Sequence, residues 1–205
     1  MPTILTFILL PPAAYLAGSI PWGLIFIRCF HSADIRRTGS GNIGATNARR
    51  IGGTTAGLLT LAGDVLKGLV PLVLGFQLVG PQPPPWAAAY LSLLALAAFL
   101  GHLFPVYLRF RDGGKGVATT LGCFLAISPL ACLMALLVFI LFICMTSRVS
   151  AASLAAAAIL PLAVWETTVN PVFTACAALM AAMMVWRHSA NIRRLLKGTE
   201  PRAFG

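Results

Sequence analysis

The residues able to do chemistry in this 205-residue chain sit in three short polar runs between long apolar stretches. The first is Gly39-Ser40-Gly41-Asn42-Ile43-Gly44-Ala45-Thr46-Asn47-Ala48-Arg49-Arg50. It combines glycines, hydroxyls, amides and two guanidiniums. Glycines let backbone N–H groups come close to an anion, and arginine grips phosphate through paired hydrogen bonds. The run reads as an anion site or, more plainly, as a solvated turn closed by arginines that stop translocation. The second is Asp112-Gly113-Gly114-Lys115-Gly116-Val117-Ala118-Thr119-Thr120. Here glycines open directly into an apolar helix, so unpaired N–H groups and a positive helix end fall beside Lys115, which suits phosphate. The spacing is not that of a nucleotide-binding P-loop. The plainer reading is a flexible loop with one orienting lysine.

The third run is His188-Ser189-Ala190-Asn191-Ile192-Arg193-Arg194-Leu195-Leu196-Lys197-Gly198-Thr199-Glu200. His188 and Asn191, three apart, share a helix face. Ile192, Leu195 and Leu196 make an apolar face suited to a bilayer surface. Alone, this run reads as a basic amphipathic tail. No HxxxxD or Ser-His-Asp arrangement stands out, and there is no Cys/His metal spacing. Phosphate-binding groups, hydroxyls and one histidine set against a greasy body suit a reaction between a phosphorylated polar molecule and a lipid-soluble one.

The elements that must position these runs are membrane helices. Hydrophobic residues make up 59% of the chain and charged ones 10%, against roughly 25% charged in a soluble domain. That excludes a water-soluble globule and a disordered chain. Five cysteines without paired spacing exclude a disulfide-stapled scaffold. The net charge of +10 serves both as an orientation signal and as an anion-binding surplus; nucleic acid is not expected as a partner. Apolar segments run over 3–27, 54–79, 86–108, 117–146, 149–165 and 170–186. Ser128-Pro129 is a reversal point inside the fourth. The chain therefore makes five crossings with long final helices, or seven with short ones.

Basic residues cluster at 28–50, 109–115 and 187–202, whereas the N-terminal tip and the Gly80–Pro85 turn carry none. Positive-inside bias puts the clusters in the cytoplasm and the N-terminus outside. Arg148 joins them only with seven crossings, which favours seven. Pro11-Pro12 and the lack of a basic leading region make the first segment a retained helix rather than a signal peptide. The expected fold is an all-α polytopic integral membrane protein, one domain over 1–205, with seven transmembrane helices, some short, and a cytoplasmic C-terminus.

Single residues also matter. Asp64 and Lys67 lie at i,i+3 inside the second span and read as a self-contained ion pair, although intramembrane charges are functional candidates by default. His102 reads as a buried, hydrogen-bonded histidine. Ser150 and Ser153 follow Arg148 and line a site only if seven crossings hold; Glu166 maps outside. Two rival classes fit parts of this pattern: a small anion transporter, and an assembly factor with a basic lipid-binding face. A transporter should present polar groups at mid-membrane and on both faces. Here they gather on one side, with only Asp64 and Lys67 deep.

Taken together, GSGNIGATNARR at 39–50, GDVLKG at 63–68, GHLFPVYLRF at 101–110, GGKGVATTLG at 113–122, VSAAS at 149–153 and HSANIRRLLKGTE at 188–200 resemble the bacterial acyl-phosphate:glycerol-3-phosphate acyltransferase family, PlsY, over nearly the whole chain. The resemblance implies seven helices in the bacterial inner membrane and an active site near the cytoplasmic face. It implies acyl transfer from acyl-phosphate to the 1-hydroxyl of sn-glycerol 3-phosphate, giving lysophosphatidic acid and phosphate, with no metal or organic cofactor. The bilayer, both substrates and a neighbouring acyl-phosphate-producing enzyme are the implied partners. By motif position, Lys115, Ser153, His188 and Asn191 are catalytic. Ser40, Gly41, Asn42, Asn47, Arg50, Gly113, Gly114, Gly116 and Arg194 bind substrate phosphate. Two departures stand out. Ser147-Arg148 precedes the VS element where the family often has Arg-Tyr or Gly-Tyr, and Asp112 replaces a neutral residue, lowering the local positive potential.

Overall fold

A computed structural model describes residues 4–31 and 33–203, which form helices and their connections without a strand. Thr3, where the first apolar segment was expected to begin, and the N-terminal tip lie outside the described residues. The chain divides into two compact units, Met1–Ala126 and Ile127–Gly205. The first contains α1 (Ile4–Gly18), α2 (Trp22–His31), α3 (Ala45–Val79), α4 (Ala87–Leu103) and nearly all of α5 (Val117–Ile127). The second contains α6 (Pro129–Thr146), α7 (Val149–Thr168), α8 (Pro171–Arg187) and α9 (Ser189–Leu196).

Each boundary has a local cause. The first apolar segment, read from the sequence as one helix, is broken at Ser19–Pro21. Pro21 has no N–H to donate, and α2 leaves α1 at 41°. Within α3, Gly53 takes φ 74°, ψ −174°, a conformation open to glycine, so a short surface helix ends there. The apolar run begins at Thr54, where the sequence placed it. Ser128 caps α6 by accepting from the Ala131 N–H at 3.2 Å, with Pro129 in the first turn; the expected reversal point thus divides segment 117–146. Asn170 and Pro171 do the same for α8, the Asn170 Oδ1 accepting from Val172 and Phe173 N–H.

Among the described residues α3, α4 continued to Leu108, α6 and α7 are long and apolar enough to span a membrane, and counting the bent pairs α1–α2 and α8–α9 raises the number to six. The remaining apolar helix, α5, has 11 residues, about 16 Å of rise against a hydrocarbon core of about 30 Å. Helices of the first unit approach closely where side chains are smallest. A Cβ on Gly18 would meet the Ala98 carbonyl of α4, and one on Gly122 of α5 the Val65 carbonyl of α3. In lipid, where burial gains little, such contact of small residues is what holds helices together.

In the second unit α7 packs on both α6 and α8, and Ser128 and Thr167 hydroxyls meet at 2.8 Å. The turn between α6 and α7 sits beside the residues after α9. The Ala203 N–H donates to the Ser147 carbonyl at 2.6 Å, and Arg148 Nη2 reaches the Gly198 carbonyl at 3.5 Å. Arg148 and the basic tail therefore share one end of this unit, as the seven-crossing reading requires and the five-crossing one does not. Single cysteines placed at Arg148 and Arg202, in a background without other cysteines, should both resist an impermeant thiol reagent in intact cells and both react after permeabilisation. Opposite labelling of the two positions would contradict this arrangement.

Candidate active site

In the first unit the loop between α2 and α3 is organised by one amide. Asn47 is 2% exposed. Its Nδ2 points at the carbonyls of Ile35, Thr38 and Asn42 at 3.2, 3.0 and 3.0 Å, and its Oδ1 accepts from the Ser40 N–H at 3.0 Å. Asn47, taken from the sequence as a phosphate ligand, is here engaged with the loop and acts by shaping it. Gly39 and Gly41 turn the chain with φ of 63° and 70°, and a Cβ on Gly39 would strike the Asn47 Oδ1. Asn42 Oδ1 accepts from the Gly44 N–H at 2.9 Å, setting the start of α3. The result holds Ser40 out to solvent, while Arg50 is exposed in the first turns of α3 and makes no ion pair among the described residues.

Arg36 ties this loop to the second one. Its Nε and Nη2 donate to Asp34 at 2.9 and 2.6 Å, and its Nη1 lies 3.7 Å from Asp112. The hydrogen bond from Arg36 holds the Asp34 carboxyl well below the usual range. Asp112, expected to lower the local positive potential, pairs with a cation of the first loop.

The glycine run opens a helix where the sequence placed one, Gly116, at φ 88°, leading into α5 at Val117, but its N–H groups are not all unpaired as the sequence suggested. Gly113 and Gly114 are buried against the end of α4. A Cβ on Gly113 would enter the Leu103 carbonyl, and one on Gly114 the His102 ring. The Gly114 N–H donates to the His102 carbonyl at 3.0 Å. Lys115 alone of the four is partly exposed and not a glycine. Beneath this loop lies a buried charged cluster. Lys67 Nζ is 2.8 Å from Asp64 Oδ1 and donates to the Ile20 carbonyl at 3.0 Å, and His102 Nδ1 lies 3.6 Å from the same Asp64 oxygen. The ion pair expected from the sequence is present, but it also reaches the α1–α2 break and α4.

In the second unit Ser150, Ser153, His188 and Asn191 are all buried. His188 Nδ1 is 2.8 Å from the Met184 carbonyl. A carbonyl only accepts, so this nitrogen carries the proton and Nε2 is the basic one in the neutral ring. The organising group is Glu200, which is 7% exposed and was not among the residues chosen from the sequence. Its Oε1 accepts from Ser150 Oγ at 2.7 Å and Asn191 Nδ2 at 2.6 Å, and its Oε2 from Arg194 Nε at 2.7 Å. Asn191 and Arg194 are thereby fixed in place. The available signal was charge economy: among only five acidic residues in the chain, one inside a basic run must have a partner.

Residues 8–198 match the family model described as glycerol-3-phosphate acyltransferase. The glycerol-3-phosphate acyltransferase of Syntrophotalea carbinolica is 46% identical over 197 residues, 96% of this chain and 97% of that one. That of Geotalea daltonii is 48% identical over 187 residues, 91% of this chain and 92% of its own. Among solved structures, PlsY, an integral membrane glycerol 3-phosphate acyltransferase, superposes in its glycerol 3-phosphate form with a TM-score of 0.89 and 37% identity, over 98% of this chain and 96% of that one. Its lysophosphatidic acid form gives 0.86 and 36%, with the same coverage.

Burial raises the Glu200 pKa, and the hydrogen bonds from Asn191, Ser150 and Arg194 more than reverse this, so it lies below the ordinary 4.5. A carboxyl whose folded value is depressed stabilises above the unfolded value and loses that contribution as the pH falls through the folded one. The thermal midpoint in detergent should therefore drop on acidification below about 4.5, and less steeply in Glu200→Gln. Glu200→Ala strands three donors, each worth about 1.5–3 kcal/mol when bonded to a charged group. It should lower the midpoint at pH 7 by more than about 5 °C; an unchanged midpoint would make the cluster incidental.

Proposed function

Because the chain belongs to the glycerol-3-phosphate acyltransferase family, we propose that it esterifies the 1-hydroxyl of sn-glycerol 3-phosphate with a fatty acyl group drawn from acyl-phosphate, releasing lysophosphatidic acid and inorganic phosphate. The transporter reading falls away with family membership. The observation that carries the choice of donor is the glycine loop: Gly113 and Gly114 are packed against α4, leaving backbone and Lys115 as what the loop presents at the start of α5. That suits a compact, doubly charged phosphate better than a nucleotide-bearing thioester.

In this reading the acyl-phosphate, a mixed anhydride, arrives activated. The glycerol 1-oxygen bonds to the acyl carbon, the acyl–oxygen bond to phosphate breaks, and the hydroxyl proton ends on the departing phosphate. Lys115 and the positive start of α5 meet the charge growing on that phosphate. Ser40, Gly41, Asn42 and Arg50, with Asn47 shaping their loop, serve phosphate binding, as do Gly116, Asn191 and Arg194. With His188 Nδ1–H given to Met184, Nε2 is the atom turned to chemistry. We assign it to holding phosphate, donating when the ring is protonated, and leave proton removal to a phosphate oxygen. Ser153 serves as a buried hydroxyl of the same reaction. Holding two substrates in register is worth up to about 7–11 kcal/mol, so neither a covalent intermediate nor a cofactor is needed. Residues 1–205 then act as one acyltransferase domain. It crosses the bacterial plasma membrane seven times, N-terminus outside and C-terminus inside, and works at the cytoplasmic face beside the enzyme that makes its donor.

Purified protein given palmitoyl-phosphate and glycerol 3-phosphate should form lysophosphatidic acid and should not do so with palmitoyl-CoA; robust turnover with the thioester would sink the choice of donor. Lys115→Ala should cut kcat on the order of 10²–10³-fold, the cost of losing one donor of an electrostatic site. Lys115→Arg should recover little, since a planar fork does not replace a point charge. Both variants should stay monodisperse. Activity within a few-fold of wild type in Lys115→Ala would remove the loop from the site.

A further inference from the structure

We infer that the loop from Tyr107 to Asp112 is an anchor for the bilayer surface, with Tyr107 and Phe110 seated at headgroup level and Arg109 and Arg111 binding anionic lipid headgroups. The span that begins at Ala87 runs on to Leu108, so the loop emerges where the hydrocarbon ends. Its side chains divide into two sets. Leu108 packs inward on the apolar cluster of Leu24, Ile27, Ile35 and Ile43. Tyr107 and Phe110 are 57% and 60% exposed, and Arg109 and Arg111, on either side of Phe110 in the chain, are exposed with them. Neither arginine forms an ion pair among the described residues. The one acid of the loop, Asp112, lies 3.7 Å from Arg36 of the first loop.

The exposure is built into the backbone. The N–H groups of Leu108 and Phe110 both donate to the Pro105 carbonyl at 3.0 Å, that of Arg109 to Val106 at 3.0 Å and that of Arg111 to Leu108 at 3.2 Å. Arg109, Phe110 and Asp112 hold φ of 54°, 62° and 54°, a left-handed conformation that is unfavourable for any residue with a Cβ. A bulky residue held there is an outlier that its surroundings must over-determine. Phe110 gains little burial in return, so the compensating contact lies outside the chain. Aromatic rings at the end of a span belong at the membrane–water interface, and arginines beside them meet the negative potential of anionic lipid. A soluble protein partner would need the same rings clear of the bilayer, and a span ending one residue past Tyr107 leaves no room for that. Asp112 leads straight into the glycine run, so the anchor also fixes the level of Lys115 relative to the bilayer, whichever substrate that run serves.

The test places a tryptophan on the loop of the full chain, as Phe110→Trp and separately as Tyr107→Trp, and reads the emission added over wild type in phosphatidylcholine nanodiscs. The discs carry a small, equal fraction of either phosphatidylglycerol or phosphatidylcholine brominated near the headgroup end of its acyl chains. The added emission should be quenched by brominated lipid and little by aqueous acrylamide. Brominated phosphatidylglycerol should behave as a lipid enriched roughly fivefold or more over phosphatidylcholine, the preference that about one arginine near the surface supplies. Arg109→Gln combined with Arg111→Gln in the same background should bring the two lipids to equal quenching. Quenching by acrylamide and not by brominated lipid at both positions puts the loop in water and overturns the inference. Equal quenching by the two lipids before the arginines are removed overturns it too, as does an unchanged preference after they are removed. Loss of the fold in both tryptophan variants would show rings that serve the protein core and would equally overturn it.

Discussion

The ammonium of Lys67 is the interaction from which the first unit is built. In lipid an exposed carbonyl has no water to turn to, so a backbone break at membrane depth must be satisfied by protein. At the break around Pro21 the Ile20 carbonyl accepts from the Trp22 N–H at 3.1 Å and from Lys67 Nζ of α3 at 3.0 Å. A lysine in that place needs a counter-charge, and Asp64 supplies that. His102 Nδ1 of α4 lies 3.6 Å from the same carboxylate oxygen. One ammonium thus ties the α1–α2 break to α3 and, through Asp64, to α4. It also places a polar ring under the glycines that open α5.

The second unit solves a similar problem with the opposite sign. Its tail is basic, yet Ser150 of α7 and Asn191 and Arg194 of α9 all direct donors inward. Glu200 receives them on two oxygens. Both units organise polar groups around buried charge, the first around the Lys67–Asp64 pair and the second around Glu200, whose partners include Asn191 and Arg194. Fixed dipoles and charges of this kind cost nothing to reorient at the moment of reaction, which is where electrostatic sites gain their strength.

Much of this was legible in the sequence because punctuation and motif coincide. Ser128-Pro129, Asn170-Pro171 and the glycines at 113–116 each carry a local mechanism, and the helices begin and end where those mechanisms act. The Asp64–Lys67 pair was visible from its i,i+3 spacing alone. What was not legible depended on contacts far apart in the chain. Asn47 read as a ligand because an amide in a glycine-rich loop has either role, and only the three carbonyls around it decide. An acid inside a basic run announces a local partner for Glu200, but no local pattern announces Ser150, fifty residues away. The break at Pro21 was hidden for a different reason: residues 3–27 are apolar throughout, and hydropathy is blind to a bend that keeps its composition.

The clasp on Glu200 also imposes an order on biosynthesis. Its acceptor lies 50 residues after Ser150 and follows two apolar helices, so the donors of α7 enter the bilayer well before the carboxylate exists. At about 5–20 residues per second the interval is roughly 3–10 s. Over that interval the Ser150 hydroxyl lacks the acceptor it later takes, whereas Asn191 and Arg194, nine and six residues before Glu200, lack theirs only at its very end. Closure of this unit therefore records that synthesis has passed Glu200.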